Sequence, residues 1–265
     1  MTSVAMIPVF PLARLFPSDA DLLDDPAREA DGLTLVLTGV QCRSFLEQQI
    51  ALGIADAGVP GRIEIVDWTT GNPLRFIEHL RLRRRAAEMG EELAERVVAY
   101  RRKWPDRPVN VIGYSGGGYL ALLLLEALPP GVRVTRAVLL APSCSRVLDV
   151  EPLAARTEAG LTHFYSPFDV LVLGLLTLVV GTMDGRHAPS AGMVGFQPPD
   201  STAVESAPVD LHPSQADRFR ETAYRFRWFR SFHFGGHFGY ANRIWAAEIL
   251  GRLLREPLEH EISPP

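Results

Sequence analysis

Short apolar runs alternate with longer amphipathic stretches along most of the chain, and Gly or Pro marks the joins. Residues 33–37 form a five-residue apolar run with Thr34 inside it, set between Gly32 and Gly39, and read as a buried strand. Residues 44–57 follow as a helix, stopped by Gly58 and Pro60. Residues 62–68 (RIEIVDW) are a second strand, and 78–103 a long amphipathic helix with arginines on its solvated side, closed by Pro105 and Pro108. The spacing then predicts a strand over 109–112, an apolar helix over 117–128 ended by Pro129-Pro130-Gly131, and strands over 132–140 and 161–165. Residues 169–180 read as a buried helix, 219–232 as strand-like or mixed, and 240–255 as a closing amphipathic helix.

Strands that alternate with helices of this length predict an α/β fold, with a mostly parallel central sheet and helices on both faces. Such sheets place their sites at the carboxyl ends of the strands. The chemistry is therefore expected just after Leu37, Ile112, Leu140 and Tyr165.

Length and composition sharpen this picture. The 265 residues are 47% hydrophobic and 22% charged, which suits one globular α/β domain spanning residues 1–265. Within it, residues 1–30 are expected to be irregular. Residues 181–216, rich in Pro, Gly, Ser and Ala, are expected to form a long loop or flap over the site. The net charge of -4 argues against nucleic acid as a partner. The two cysteines, Cys42 and Cys144, make neither a disulfide scaffold nor a C-x-x-C metal site. The first 17 residues hold no basic stretch ahead of their apolar part and are broken by Pro8, Pro11 and Pro17, unlike a signal peptide. The longest apolar run, 170–180, falls short of the roughly 18–20 residues of a spanning helix. The expectation is a soluble, cytoplasmic protein without a transmembrane segment, for which peripheral contact with lipid stays open.

The candidate chemistry centres on Gly113-Tyr-Ser115-Gly-Gly117. A strand ends just before it and an apolar helix begins just after, the context of a nucleophile elbow. Ser115 would sit on a sharp turn at a helix N-terminus, and Gly113 and Gly117 would let neighbouring backbones approach. The overlapping run Gly116-Gly117-Gly118-Tyr-Leu-Ala121 also fits a dinucleotide fingerprint. However, the next strand ends Val138-Leu-Leu-Ala-Pro142 without the acid that would hold a ribose, so no cofactor is expected.

A nucleophilic Ser needs a base, and the base an orienting carboxylate. His237, in Phe234-Gly-Gly-His-Phe-Gly239 ahead of the last helix, is the best placed of the seven histidines, with His233 as its competitor. His163 lies within a strand, and His79 stands too early in the chain. Asp169, after the strand 161–165, is the first choice of acid, although its ordinary role would be a helix cap. Asp149 and Asp184 are the alternatives. An oxyanion hole would take the backbone N–H of Gly116 and that of Val40 or Gln41, from the loop Thr38-Gly-Val-Gln41. Asp184 and His187 are too sparse for a zinc site, so no metal is expected.

Gly-Tyr-Ser-Gly-Gly after a strand, then Asp169, then His237, in that chain order, resembles the α/β-hydrolase superfamily over roughly residues 33–255. The resemblance implies a serine hydrolase with a Ser–His–Asp triad and no cofactor, most often acting on esters. The chain departs from the common pattern by Thr38-Gly39 where many members carry His-Gly, and only about 30 residues precede the first strand, where two leading strands are usual. The expected activity is carboxylic ester hydrolysis through an acyl-enzyme. The aromatics Phe164, Phe168, Phe196, Phe232, Phe234 and Phe238 are candidates for an apolar acyl pocket or for core. The alternatives on the same residues are a thioesterase, an acyltransferase or a peptidase, or an inactive binding protein of the same fold.

Overall fold

The computed structural model describes residues 19–197 and 218–256. Six parallel strands make one sheet: β1 Leu33–Leu37, β2 Arg62–Val66, β3 Val109–Tyr114, β4 Arg136–Leu140, β5 Leu161–Tyr165 and β6 Phe219–Ala223, in the order β2-β1-β3-β4-β5-β6. The principal helices are α1 Phe45–Asp56, α2 Arg83–Lys103 and α3 Gly116–Ala127. A fourth, α4, runs as a π-helix over Val170–Leu176 and as an α-helix over Thr177–Val180. The last, α5, comprises Arg243–Trp245, a π-helical Ala246–Gly251 and Arg252–Leu254.

Side-chain alternation along buried strands sends residues to two cores. Leu35, Leu37, Val111 and Leu139 meet Leu93 and Val97 of α2 and Leu120 of α3 on one face. Val36, Ile112 and Leu140 meet Ile50 and Ile54 of α1 and Trp245 of α5 on the other. The chain leaves β1 through α1 to β2 on one side, then returns through α2 to β3 on the other side of β1. The sheet thus reverses its winding between β1 and β3, the position at which sheets of this kind carry their sites, at the carboxyl ends of the strands. The loops that follow these two strands carry Val40 and Ser115.

Boundaries differ from the sequence pattern where tertiary contacts intervene. β2 stops at Val66 because Trp68 turns inward and donates its indole N–H to Thr38 O at 2.8 Å. The expected helix 78–103 begins at Arg83, after a separate helical turn Phe76–His79 that carries His79 into the interior. β3 extends two residues further than its pattern, directly to Ser115. β4 covers only the end of 132–140, since Val134 makes an isolated bridge to Thr157 instead. Within 219–232, a strand gives way to a 3-10 turn, Phe226–Ser231. Asn242 starts α5 by accepting from Ile244 N and Trp245 N, later than the expected 240.

The expectation that 169–180 is buried is corrected. Leu173, Gly174 and Thr177 face inward, while Leu171 and Val179 are 75% and 66% exposed. An unbroken apolar run has no polar side to show which face turns outward. Of the expected irregular stretches, residues 19–31 form short 3-10 turns. Residues 181–197 pack against the loop after β4, with the turn Ala191–Val194 and a bridge from Ser190 to Ser145. The rest of the anticipated flap, 198–216, and residues 1–18 lie outside the described residues.

Candidate functional site

Ser115 joins β3 to α3 at φ 54°, ψ −117°. A non-glycine residue in that region stores strain on the order of 1–3 kcal/mol, which the surrounding packing must hold. The packing is dense because its neighbours lack side chains. A Cβ on Gly113 would lie 2.4 Å from Gly117 O, and one on Gly117 2.2 Å from Leu37 O. In the overlapping glycine run, a Cβ on Gly116 or Gly118 would instead meet the side chain of Val40 at 2.7 Å or of Pro142 at 2.6 Å. The turn is tied to its neighbour strand by Ser115 N donating to Leu140 O (2.9 Å) and by Ser143 N donating to Ser115 O (3.1 Å).

The loop after β1 lies directly against the elbow. A Cβ on Gly116 would fall 2.7 Å from Val40 Cγ1 and 3.3 Å from Val40 N, so these two backbone positions adjoin. Neither amide donates to a protein acceptor among the described residues. Gln41, the alternative donor residue, folds its side chain back over Gly39 and donates from Nε2 to Glu47 Oε1 at 2.8 Å.

Three buried side chains fix this loop, and sequence reasoning missed them all. Trp68 holds the Thr38 carbonyl. His79, fully buried, donates from Nδ1 to Val40 O at 2.5 Å, while Thr70 Oγ1 lies 2.7 Å from its Nε2. A carbonyl can only accept, so the Nδ1–H tautomer is set, and the Val40 peptide is oriented with it. Glu47 accepts from Gly39 N (3.2 Å), Gln41 Nε2, Ser44 N (2.9 Å) and Ser44 Oγ (2.6 Å). Burial raises the Glu47 carboxyl to about 7 against these hydrogen bonds, which lower it. The Ser44-x-x-Glu47 capping box was legible in the sequence. Its use as the floor of a loop was not, and His79 gave no signal because its partner stands 39 positions away.

His237 and Asp169 converge from separate segments. His237 Nδ1 lies 2.6 Å from Asp169 Oδ2, with both side chains buried. Asp169 sits at the cap position just before α4 but makes no side-chain cap to it; its carboxylate meets the histidine instead. The segment before His237 is pinned at several points. Ser166 Oγ donates to Gly235 O, Tyr224 OH to His233 O (3.0 Å) and Tyr114 OH to His237 O (3.3 Å). Tyr114 directly precedes Ser115, and its ring centroid lies 5.2 Å from that of His237. Burial, with Glu47 and Asp169 nearby, raises its phenol well above the ordinary value and keeps it a neutral donor.

The remaining candidates are committed elsewhere. His233 is enclosed by Tyr224, Trp228, Tyr240 and Trp245, and burial pushes its imidazole down to about 3. Its Nδ1 accepts from Gly235 N at 3.1 Å. His163 pairs with Glu221 at 2.8 Å as a buried residue of the sheet. Asp149 accepts from Glu151 N on the exposed surface, and Asp184 accepts from Ser145 N at 2.8 Å. Phe164 and Phe196 are core, packed on Trp228 and Trp245 and on His163 and Phe219. Phe168, Phe232 and Phe234 are exposed; Phe168 directly precedes Asp169 in the chain, and Phe234 stands three residues before His237.

Among the described residues, no group of three or more His, Cys, Asp or Glu side chains could hold a metal ion, and no helix is long and apolar enough to cross a membrane. No protein-family model matches this chain, and a search of curated proteins finds no match either.

Proposed function

We propose that this chain is a serine hydrolase of the α/β-hydrolase superfamily that cleaves carboxylic esters. The observation that carries the reading is the buried 2.6 Å contact between His237 Nδ1 and Asp169 Oδ2 at the sheet edge where Ser115 occupies a strained elbow. With Nδ1–H donating to Asp169, His237 keeps Nε2 as a proton acceptor. Ser115 Oγ attacks the ester carbonyl carbon as His237 Nε2 takes its proton. The oxyanion so formed accepts from the N–H groups of Gly116 and Val40, with Val40 held by His79. On collapse, the C–O bond to the alcohol breaks and the alcohol takes the proton from His237. Water, activated in turn by His237, hydrolyses the acyl-Ser115 ester and restores the enzyme. The exposed Phe168 and Phe234, close in the chain to Asp169 and His237, favour an apolar acyl group.

Labelling with a fluorophosphonate tests the reading, because only an activated serine is phosphonylated. The folded wild-type chain is expected to label and Ser115→Ala is not. A folded wild-type chain that does not react, or equal labelling of the variant, overturns the proposal. Among chains that label, turnover of a panel of esters, thioesters and peptides assigns the substrate class.

A further inference from the structure

We propose that α4 and the aromatic stretch ahead of His237 together form a docking surface for an anionic lipid bilayer. α4 turns Leu171 and Val179 outward at 75% and 66% exposure, and Phe226 and Phe229 are 78% and 63% exposed. Phe168 joins the two segments, with its ring centroid 5.9 Å from that of Phe226 and its side chain against Gly235. Soluble proteins seldom leave a contiguous apolar area of this kind without a use for it.

Charge selects the occupant. The chain as a whole carries -4, yet no acid occurs between Glu221 and Glu248. Within that interval Arg225, Arg227 and Arg230 alternate with the exposed phenylalanines. All three are exposed, and none pairs with an acid among the described residues. Residues 170–183 of the companion segment carry no charge at all. Aliphatic and aromatic side chains that protrude among arginines match the two layers of a membrane face, with acyl chains below and anionic headgroups around. An acidic protein partner would satisfy the arginines, but it would leave the uncharged outer face of α4 unmatched. Asp169 directly precedes α4, and Gly235 lies two residues before His237, so a lipid surface docked here would border that pair.

The inference does not depend on the catalytic reading, and its test does not use turnover. The full chain is sedimented with vesicles of phosphatidylcholine alone or mixed with about one-third phosphatidylglycerol, at low and high salt. Sedimentation with the mixed vesicles, weakened by salt, is expected. The triple variant Arg225→Gln, Arg227→Gln, Arg230→Gln should lower that partition roughly hundredfold, at about fivefold per arginine. Phe226→Ser with Phe229→Ser should lower it at least about tenfold while circular dichroism stays native. The proposal is overturned if the chain remains in the supernatant with mixed vesicles. It is equally overturned if the phenylalanine variant binds as wild type, which marks adsorption by charge alone. A wild-type dimer in solution that the same phenylalanine variant converts to monomer also overturns it, since a second copy then covers this face.

Discussion

His233 stands four positions before His237, and its burial governs its protonation. His233 is wholly buried among aromatic rings, and burial pushes it down to about 3 from an ordinary 6.5. Between those two values the unfolded chain binds a proton that the folded chain refuses. The contribution of His233 to stability is therefore complete above pH 6.5 and is lost as pH falls toward 3. At about 1.4 kcal/mol per unit, ~3 kcal/mol has gone by about pH 4, and the full window is worth ~5 kcal/mol. His233→Asn is the informative perturbation. Its Oδ1 takes the place of Nδ1 and keeps an acceptor for Gly235 N, but it does not titrate. The space left by the ring costs ~2 kcal/mol at every pH. Glu47 works in the opposite sense over an overlapping range, so the quantity to follow is the difference between wild type and variant at each pH. Urea unfolding, read from the four tryptophans, supplies it. The variant should be the weaker protein near neutrality, and the gap should close and then invert by about pH 4. A gap that stays constant from neutrality to pH ~4 would refute a buried, neutral His233. Fluorophosphonate labelling of the same variant near neutrality should stay within about tenfold of wild type, whereas His237→Ala should lose it along with turnover, as Ser115→Ala is expected to.

Three further outcomes follow from the same contacts. Asp169→Asn keeps the shape of the carboxylate but favours the wrong tautomer of His237, so ester turnover should fall about 10⁴-fold with little change in urea midpoint; turnover within tenfold of wild type would remove Asp169 from the mechanism. The raised Glu47 carboxyl contributes stability that is full below pH 4.5 and lost as pH rises through about 7. Glu47→Gln should therefore gain up to ~3 kcal/mol on wild type across that interval, and parallel stability–pH curves would contradict it. Gly117→Ala places a Cβ 2.2 Å from Leu37 O. The clash is with backbone, so it should cost at least ~2 kcal/mol, measurable as a lower urea midpoint; an unchanged midpoint would show that β1 and the elbow are not in close contact.

The alternation of apolar runs and helical stretches determined the class of fold, because both periodicities are local properties of the chain. All six strands fall where that pattern puts an extended segment, although β6 was legible only within a mixed stretch. The elbow at Ser115 was equally local, since Gly113, Ser115 and Gly117 must share one turn. The tertiary structure decided which distant groups meet. Asp149 and Asp184 were as chemically suitable as Asp169, and only the packing of the loop after β5 against the segment 234–237 brings one of them to His237. The fate of the paired histidines was settled in the same way, because the rings that enclose His233 stand at four separate positions, Tyr224, Trp228, Tyr240 and Trp245. His79 and Trp68 reach back to the loop after β1 across 39 and 30 positions, and no local pattern encodes such a contact. Likewise the uniform run 170–180 could not reveal its outer face, which depends on what packs against it. Periodicity reports the side of an element that is apolar. Long-range packing alone selects its partner, and the pairing of Asp169 with His237 and the exposed face of α4 both arise at that level.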